Sequence, residues 1–247
     1  MSEIDIPESH PRYESLLTRH RIEDGVEKGI TSKQGLIAQG RGEAFDYLLG
    51  ERTIDSAASA QRAAAAHLLQ ADHAVLSING NVAALVPGEM VELADATGAD
   101  LEVNLFNRTE ERMQAIADHL RAHGAEDVLG LTADGRIPGL DHERAKVDSA
   151  GIGDADVVLV PLEDGDRAEA LAEMGKTELV VDLNPMSRSA QTATVPIVDN
   201  IIRSVPAITA HAEELAGDER AQRAAIADFD RAHALAAAER AIRRGGD

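Results

Sequence analysis

The sequence predicts an α/β protein built on a Rossmann-like, doubly wound parallel sheet, with extra helical segments at both ends. Three observations predict it. Short β-branched apolar runs recur between residues 73 and 198, the mark of buried parallel strands. Helix-length stretches separate most of them, and that alternation means right-handed βαβ units. The last two runs end in polar groups, Asp182-Leu183-Asn184 and Asp199-Asn200. Open α/β sheets bind ligands in the crevice beyond such strand ends.

The elements follow in order, as one α/β domain over 1–247. Its parts are an N-terminal helical segment (1–72), a Rossmann-like core (73–204) and a C-terminal helix (205–247). Residues 1–10 are polar and read as extended. Arg12 to Ile30 reads as a helix, with Leu16, Leu17, Ile22 and Val26 at helical spacing. The run Gly35-Leu36-Ile37-Ala38-Gln39 enters a Gly40-Arg41-Gly42 turn, and Glu43 then opens a helix through Leu49. Thr53-Ile54-Asp55 reads as the cap of a helix reaching Gln70. His73–Ile78 is the first strand, Asn79-Gly80-Asn81 a turn, and Val82–Gly98 a helix broken near Pro87. Asp100–Phe106 is the second strand, and Glu110–His123 its helix. Val128–Thr132 reads as a third strand and 133–153 as loop with a short helix. Val157–Leu162 is a fourth strand, and Arg167–Met174 a helix. Leu179–Val181 and Val195–Val198 are the fifth and sixth. Thr209–Arg244 is Ala-rich and helical, bent at Gly217-Asp218. A lone terminal helix of that length needs something to pack on, and a partner subunit is the expected support.

Composition bounds the function. The chain has 247 residues and is 44% hydrophobic but only 2% aromatic, so small aliphatic residues fill its core. Cysteine is absent, which excludes disulfides and thiolate metal sites. No apolar run reaches membrane-spanning length and no signal-peptide pattern opens the chain, so the expected location is cytoplasmic. Net charge is −20, which argues against nonspecific nucleic-acid binding. The lysines are few, Lys28, Lys33, Lys146 and Lys176. That acidic bias fits a protein of halophilic type, in which salt screens self-repulsion. Against it, clustered arginines stand out as anion sites.

The two polar strand ends form the expected nucleotide site. Asp182 accepts from ribose hydroxyls and Asn200 meets an adenine edge. Arg188, in the Ser187–Thr194 loop between them, pairs with phosphate. Arg41 has glycine on both sides, which lets backbone approach a bound group closely, and an adjacent helix start favours anions. A solvated loop arginine is the plain alternative. Asn79 and Asn81 read either as a tight turn or as small-ligand contacts.

Other signals are weak. There is no G-x-x-x-x-G-K-[ST], and the first βα turn lacks the G-x-G-x-x-G spacing of dinucleotide sites. Asn107-Arg108-Thr109 marks the alternative function, an NADP-dependent oxidoreductase of shikimate-dehydrogenase-like type, but it reads better as a helix cap with an acidic first turn. A nucleotide-binding regulatory module is a third class. His119 and His123 share a helix face without a third metal ligand.

Five stretches together resemble one family. They are IPESHPRY (Ile6–Tyr13), GLIAQGRGEAFDYLLGERT (Gly35–Thr53), SINGNVAALVP (Ser77–Pro87), NLFNRTEER (Asn104–Arg112) and DLNPMSRSAQTATVPIVDNI (Asp182–Ile201). They are similar to the archaeal 4-phosphopantoate–β-alanine ligases, also called phosphopantothenate synthetases, of coenzyme A biosynthesis. One departure is Gln39, where histidine is usual. The resemblance implies a homodimer that binds ATP, with Mg²⁺ assisting, without a P-loop. ATP would contact Arg19, Arg41, Asp182, Leu183, Asn184, Arg188, Ser189, Asn200 and Ile201. On this reading Arg41 and Arg188 carry the triphosphate chemistry. Asn79 and Asn81 orient pantoate or β-alanine, His10 and Arg12 bind the substrate phosphate or serve only N-terminal packing, and Arg19 reaches either ATP or the substrate phosphate. No residue is assigned as a metal ligand.

Overall fold

Five short apolar strands line up in parallel: β1 (Ala74–Ile78), β2 (Asp100–Val103), β5 (Val157–Pro161), β6 (Thr177–Val181) and β7 (Val195–Ile197). The computed structural model describes residues 6–7, 9–162 and 164–245. Strand order is β2-β1-β5-β6-β7. The chain turns outward from β1 to β2, then returns to the other side of β1. The switch point of this doubly wound sheet therefore lies between β1 and β5, where ligand crevices form. Two two-residue strands, β3 (Gly135–Arg136) and β4 (Lys146–Val147), pair antiparallel outside the sheet.

Register follows from the core. Leu101, Leu76, Leu159, Leu179 and Val195 form one row across the five strands, and all are buried. Burial of such a side chain contributes roughly 1.5–3 kcal/mol. A one-residue slip would turn the row to the opposite face. That row packs under α3 (Asp55–Gln70), α5 (Pro87–Thr97) and α9 (Ile201–Leu215). The other face buries Val75, Val158 and Val160 with Ile137, Ile152 and Leu171.

Three helices complete the carboxyl edge: α1 (Tyr13–Glu27), α2 (Lys33–Leu49) and α4 (Gly80–Leu85). Gly25 makes the α1–α4 contact possible, since an added Cβ would sit 2.7 Å from Ala84 Cβ. α6 (Glu110–Ala122), α7 (Gly165–Glu173) and α8 (Arg188–Thr192) follow β2, β5 and β6. The chain ends in α10 (Glu219–Ala227) and α11 (Arg231–Arg244), which pack on α3.

Several expectations are corrected. Gly40-Arg41-Gly42 is no turn; it lies inside α2, which runs unbroken from Lys33 to Leu49, so no helix start adjoins Arg41. Val128–Thr132 contributes only an isolated bridge, Glu102 to Leu129, because Gly130 turns the chain at φ +95°. β2 stops at Val103 rather than Phe106. Thr53 does not cap α3; Ile54 holds the cap position, and the Thr53 hydroxyl donates to Asp199 at 2.6 Å. The C-terminal region is three helices, breaking at Gly217-Asp218 and again at 228–230, and its first helix begins at Ile201 rather than Thr209. Those helices find support on α3 within the same chain, which removes the packing argument for a partner. The extended segment expected at 1–10 falls largely outside the described residues.

Candidate active site

α2 is laid across the strand ends, and two glycines set its height. At Gly35 an added Cβ would lie 2.3 Å from Asn81 Oδ1, and at Gly42 it would lie 3.3 Å from Asn200 Nδ2. The helix thus reaches from the β1 exit to the β7 exit. Beneath its N-terminal half, at the switch point, opens a cleft of about 230 Å³. Arg41, Asn79, Asn107, Arg112, Arg144 and Asp164 are among its walls. Ala38, Asn81 and Leu162 are shared with a narrow recess that continues to Leu183, Asp199, Asn200 and Ile201. One groove therefore spans the carboxyl edge.

The recess end is built on a buried charge network. Asn200 caps α9 through Ile202 N, and its Nδ2 donates to Asp46 Oδ2 at 3.0 Å. Arg203 Nη2 donates to Asp46 and to Asp199, each at 2.7 Å. Asp199 also accepts from Thr53 and Gln61, so its oxygens are committed to holding the wall. Burial pushes the Asp46 carboxyl above its usual range, against the pull of Arg203. Burial also opposes the charge on Arg203, but Asp46 and Asp199 outweigh it and raise its pKa.

The switch-point end is fixed differently. Asn79 Oδ1 accepts from Asn81 N and Val82 N as the α4 cap, and its Nδ2 donates to Pro161 O at 3.0 Å. Asn81 Nδ2 donates to Gly35 O at 3.0 Å, and its Oδ1 accepts from the Thr31 hydroxyl. Both asparagines line the cleft, but their side chains lock β1, β5 and α2 together. Gln39 donates to Thr18 Oγ1 at 2.8 Å, tying α2 to α1.

The arginines divide. Arg41 is exposed on the cleft wall and makes no ion pair among the described residues. Arg188 is elsewhere, across Gly165 at the start of α7, paired with Asp166 at 2.6 Å and Glu169 at 3.5 Å. Those carboxylates raise its pKa. Arg19 and Arg12 converge on Glu43 at 2.7 and 2.9 Å. Arg19 is the larger cause of the lowered Glu43 pKa. Arg12 also stacks on Tyr47, and its backbone N–H donates to His10 Nδ1. Asp182 accepts from Asn184 N and Ser187 Oγ. Asn184 is exposed and Ser189 buried. The structure thus brings Arg41, Asn79, Asn81, Leu183, Asn200 and Ile201 into one groove. Asp182, Asn184, Arg188, Ser189, Arg19, His10 and Arg12 are not among its walls.

The NADP reading fails on geometry. Arg108 turns back on its own chain, its Nη2 donating to Gly130 O and to Leu131 O, the latter at 3.1 Å. Thr109 caps α6 through Arg112 N at 3.3 Å. Sequence reading missed Arg112 and Arg144. Each is an arginine next to or beyond the β2 exit, a signal that Arg108 obscured.

A doubly wound sheet with a groove across its carboxyl edge, walled at the switch point by three arginines, places the chain among α/β proteins built to bind small molecules. Comparison with known proteins sharpens this. The sequence profile of the family described as phosphopantothenate/pantothenate synthetase matches residues 56–245. A Thermococcus kodakarensis protein named 4-phosphopantoate–β-alanine ligase is 61% identical over 213 residues, which is 86% of this chain and 82% of the relative. Relatives of the same name from Methanosarcina mazei and Methanospirillum hungatei are 58% and 53% identical, over 85% and 87% of this chain and 83% and 87% of their own lengths. The chain belongs to the phosphopantothenate/pantothenate synthetase family.

Proposed function

We propose that this chain is the amide-forming ligase that joins 4-phosphopantoate and β-alanine, at the expense of ATP, to give 4′-phosphopantothenate, AMP and pyrophosphate. The observation that carries this is the 53–61% identity to ligases of that name over most of both chains. The groove supports it, since its cleft at the switch point and its recess at the β7 exit offer two stations along one sheet edge.

A carboxylate does not acylate an amine in water, because the anion is a poor electrophile and would have to expel oxide. ATP supplies a better one. An oxygen of the 4-phosphopantoate carboxylate attacks the α-phosphorus, the bond to the bridging oxygen breaks, and pyrophosphate departs. The β-alanine amine then attacks the acyl carbon of the adenylate. AMP leaves with the bond electrons, and the nitrogen loses a proton. The recess at Leu183, Asn200 and Ile201 takes the nucleoside, with Asp182 and Asn184 at the adjoining strand end. Arg41 offsets triphosphate charge, where fixed donors count most. Arg188, Ser189 and Arg19 join the ATP site once their present partners are exchanged for phosphate. Among the described residues no group of three or more His, Asp or Glu side chains is placed to hold a metal. Mg²⁺ would therefore arrive on the triphosphate, keeping water ligands as is usual for it. Proximity of the two bound acids supplies much of the acceleration.

The same helix suggests the assembly. Leu36, Ile37, Tyr47 and Leu48 are exposed on α2, and with Gly40 and Ala44 they form one apolar face. A second copy of the chain covers that face in a homodimer, which sedimentation would detect as twice the 26.2 kDa chain mass.

The deciding experiment supplies ATP, Mg²⁺, 4-phosphopantoate and β-alanine and follows AMP. Release that requires both organic acids is expected. AMP formed without β-alanine, or oxidation of NADPH, would defeat the proposal.

A further inference from the structure

The switch-point cleft holds a cation that the ATP reading leaves unused. Arg112 lies in the first turn of α6. Its Nε donates to Ile30 O at 3.1 Å and its Nη1 to Asn107 O at 3.3 Å. Both acceptors are neutral. Nη2 lies over Gly80, where an added Cβ would come within 2.5 Å of it, and it donates to nothing among the described residues.

No described Asp or Glu pairs with Arg112. Arg21, Arg108, Arg136 and Arg231 are likewise held by backbone carbonyls, but of these five only Arg112 lines the switch-point cleft. Arg12, Arg19, Arg144, Arg188 and Arg203 all have carboxylate partners. Burial lowers the Arg112 pKa with nothing offsetting it. A partly buried cation without a counter-charge is costly, and a bound anion removes that cost. The start of α2 lines the same cleft through Ser32 and Gln34. Ser32 holds the cap position without a side-chain cap bond, so first-turn N–H groups remain for a ligand.

We propose that Arg112 binds the phosphate of 4-phosphopantoate and makes the site select the phosphorylated acid over pantoate. This rests on the ligase reading above. It places the acid's phosphate at the β2 side of the groove and ATP at the β7 side. The reacting carboxylate then lies between them, near Arg41. Arg12, the candidate from sequence, is not among the walls of this cleft.

The test is steady-state kinetics of the full chain and Arg112→Gln with 4-phosphopantoate and with pantoate. The variant should raise KM for 4-phosphopantoate at least tenfold and leave KM for ATP within twofold. The kcat/KM preference for the phosphorylated acid should fall at least tenfold, and Arg112→Lys should restore part of it. Weakened Ile30 and Asn107 contacts alone would not move that preference. An unchanged preference, or a rise in KM for ATP instead, overturns the assignment. Calorimetric binding of 4-phosphopantoate to both proteins keeps the question separate from turnover. A wild type that binds it tenfold tighter than the variant, yet releases no AMP, would sink the ligase reading and keep Arg112. Equal binding would sink Arg112 alone.

Discussion

Replacing Arg41 separates chemistry from folding in one substitution. The side chain is exposed, with no ion pair among the described residues, so its removal strands no partner. Its position is inside α2, where alanine is at least as good a helix former as arginine. Stability should therefore change by less than about 0.5 kcal/mol. For a chain of this size that is a shift of Tm of about 2 °C or less. The kinetic effect is expected to be much larger. A charge-assisted hydrogen bond contributes about 1.5–3 kcal/mol, and losing a donor aimed at transition-state charge costs about 3–4 kcal/mol. Arg41 is open to water, so the lower half of that span applies first. AMP release by Arg41→Ala should fall by between about tenfold and a hundredfold. Arg41→Lys should fall between wild type and alanine, since it keeps charge but not the planar fork. Coupled detection of AMP and differential scanning calorimetry read the two effects. Turnover within threefold of wild type, at an unchanged Tm, would show that Arg41 touches no phosphate.

Further expectations concern the frame around the groove. Glu102 on β2 is buried and accepts from Asp148 N and Ile152 N, and burial raises its carboxyl pKa to about 7. The folded chain then keeps a proton that the unfolded chain has released, so stability should decline as pH rises from about 4.5 to about 7 and level off above. The span is about 3 kcal/mol; Glu102→Gln should flatten it in urea titrations, and an equal slope in both proteins would refute the assignment. Gly130→Ala should cost at least about 2 kcal/mol or prevent folding, because Gly130 has φ +95° and an added Cβ would lie 2.2 Å from Val103 O; circular dichroism melts decide it. Asn200→Ala removes the α9 cap and a donor to buried Asp46. It should cost about 2 kcal/mol and weaken ATP binding in calorimetry; normal ATP affinity would place the nucleoside elsewhere.

The strands were legible because each is a run of Val, Leu and Ile between polar breaks. Val128–Thr132 looked alike, but Gly130 needs a left-handed turn that two flanking leucines conceal. α2 was misread for the opposite reason. Helical glycines cost about 1 kcal/mol each relative to alanine, and two of them around Arg41 read as a break. Tertiary packing overrides that cost, since Gly35 and Gly42 are what allow the helix to lie against Asn81 and Asn200. The two polar strand ends announced the recess. Arg188 did not declare its partners, because Asp166 and Glu169 are brought to it only by the β5–β6 pairing. Arg112 was hidden in plain helical surroundings. Nothing local shows that its first-turn neighbours, Glu110 and Glu111, make no ion pair with it.

The far end of the chain has a bearing on the groove that its distance in sequence conceals. Leu235 and Ala238 of α11 share a small cluster with Phe45 and Leu49 of α2, Ala190 and Val198. Trimming the last fourteen-residue helix would uncover the seat on which Phe45 and Leu49 rest and let the roof of the groove lift, while the central sheet stayed whole. Proteolytic nicks or shortened clones ending near Asp228 should thus yield a soluble but inactive protein. An affinity handle added after the exposed Arg244 should leave catalysis untouched.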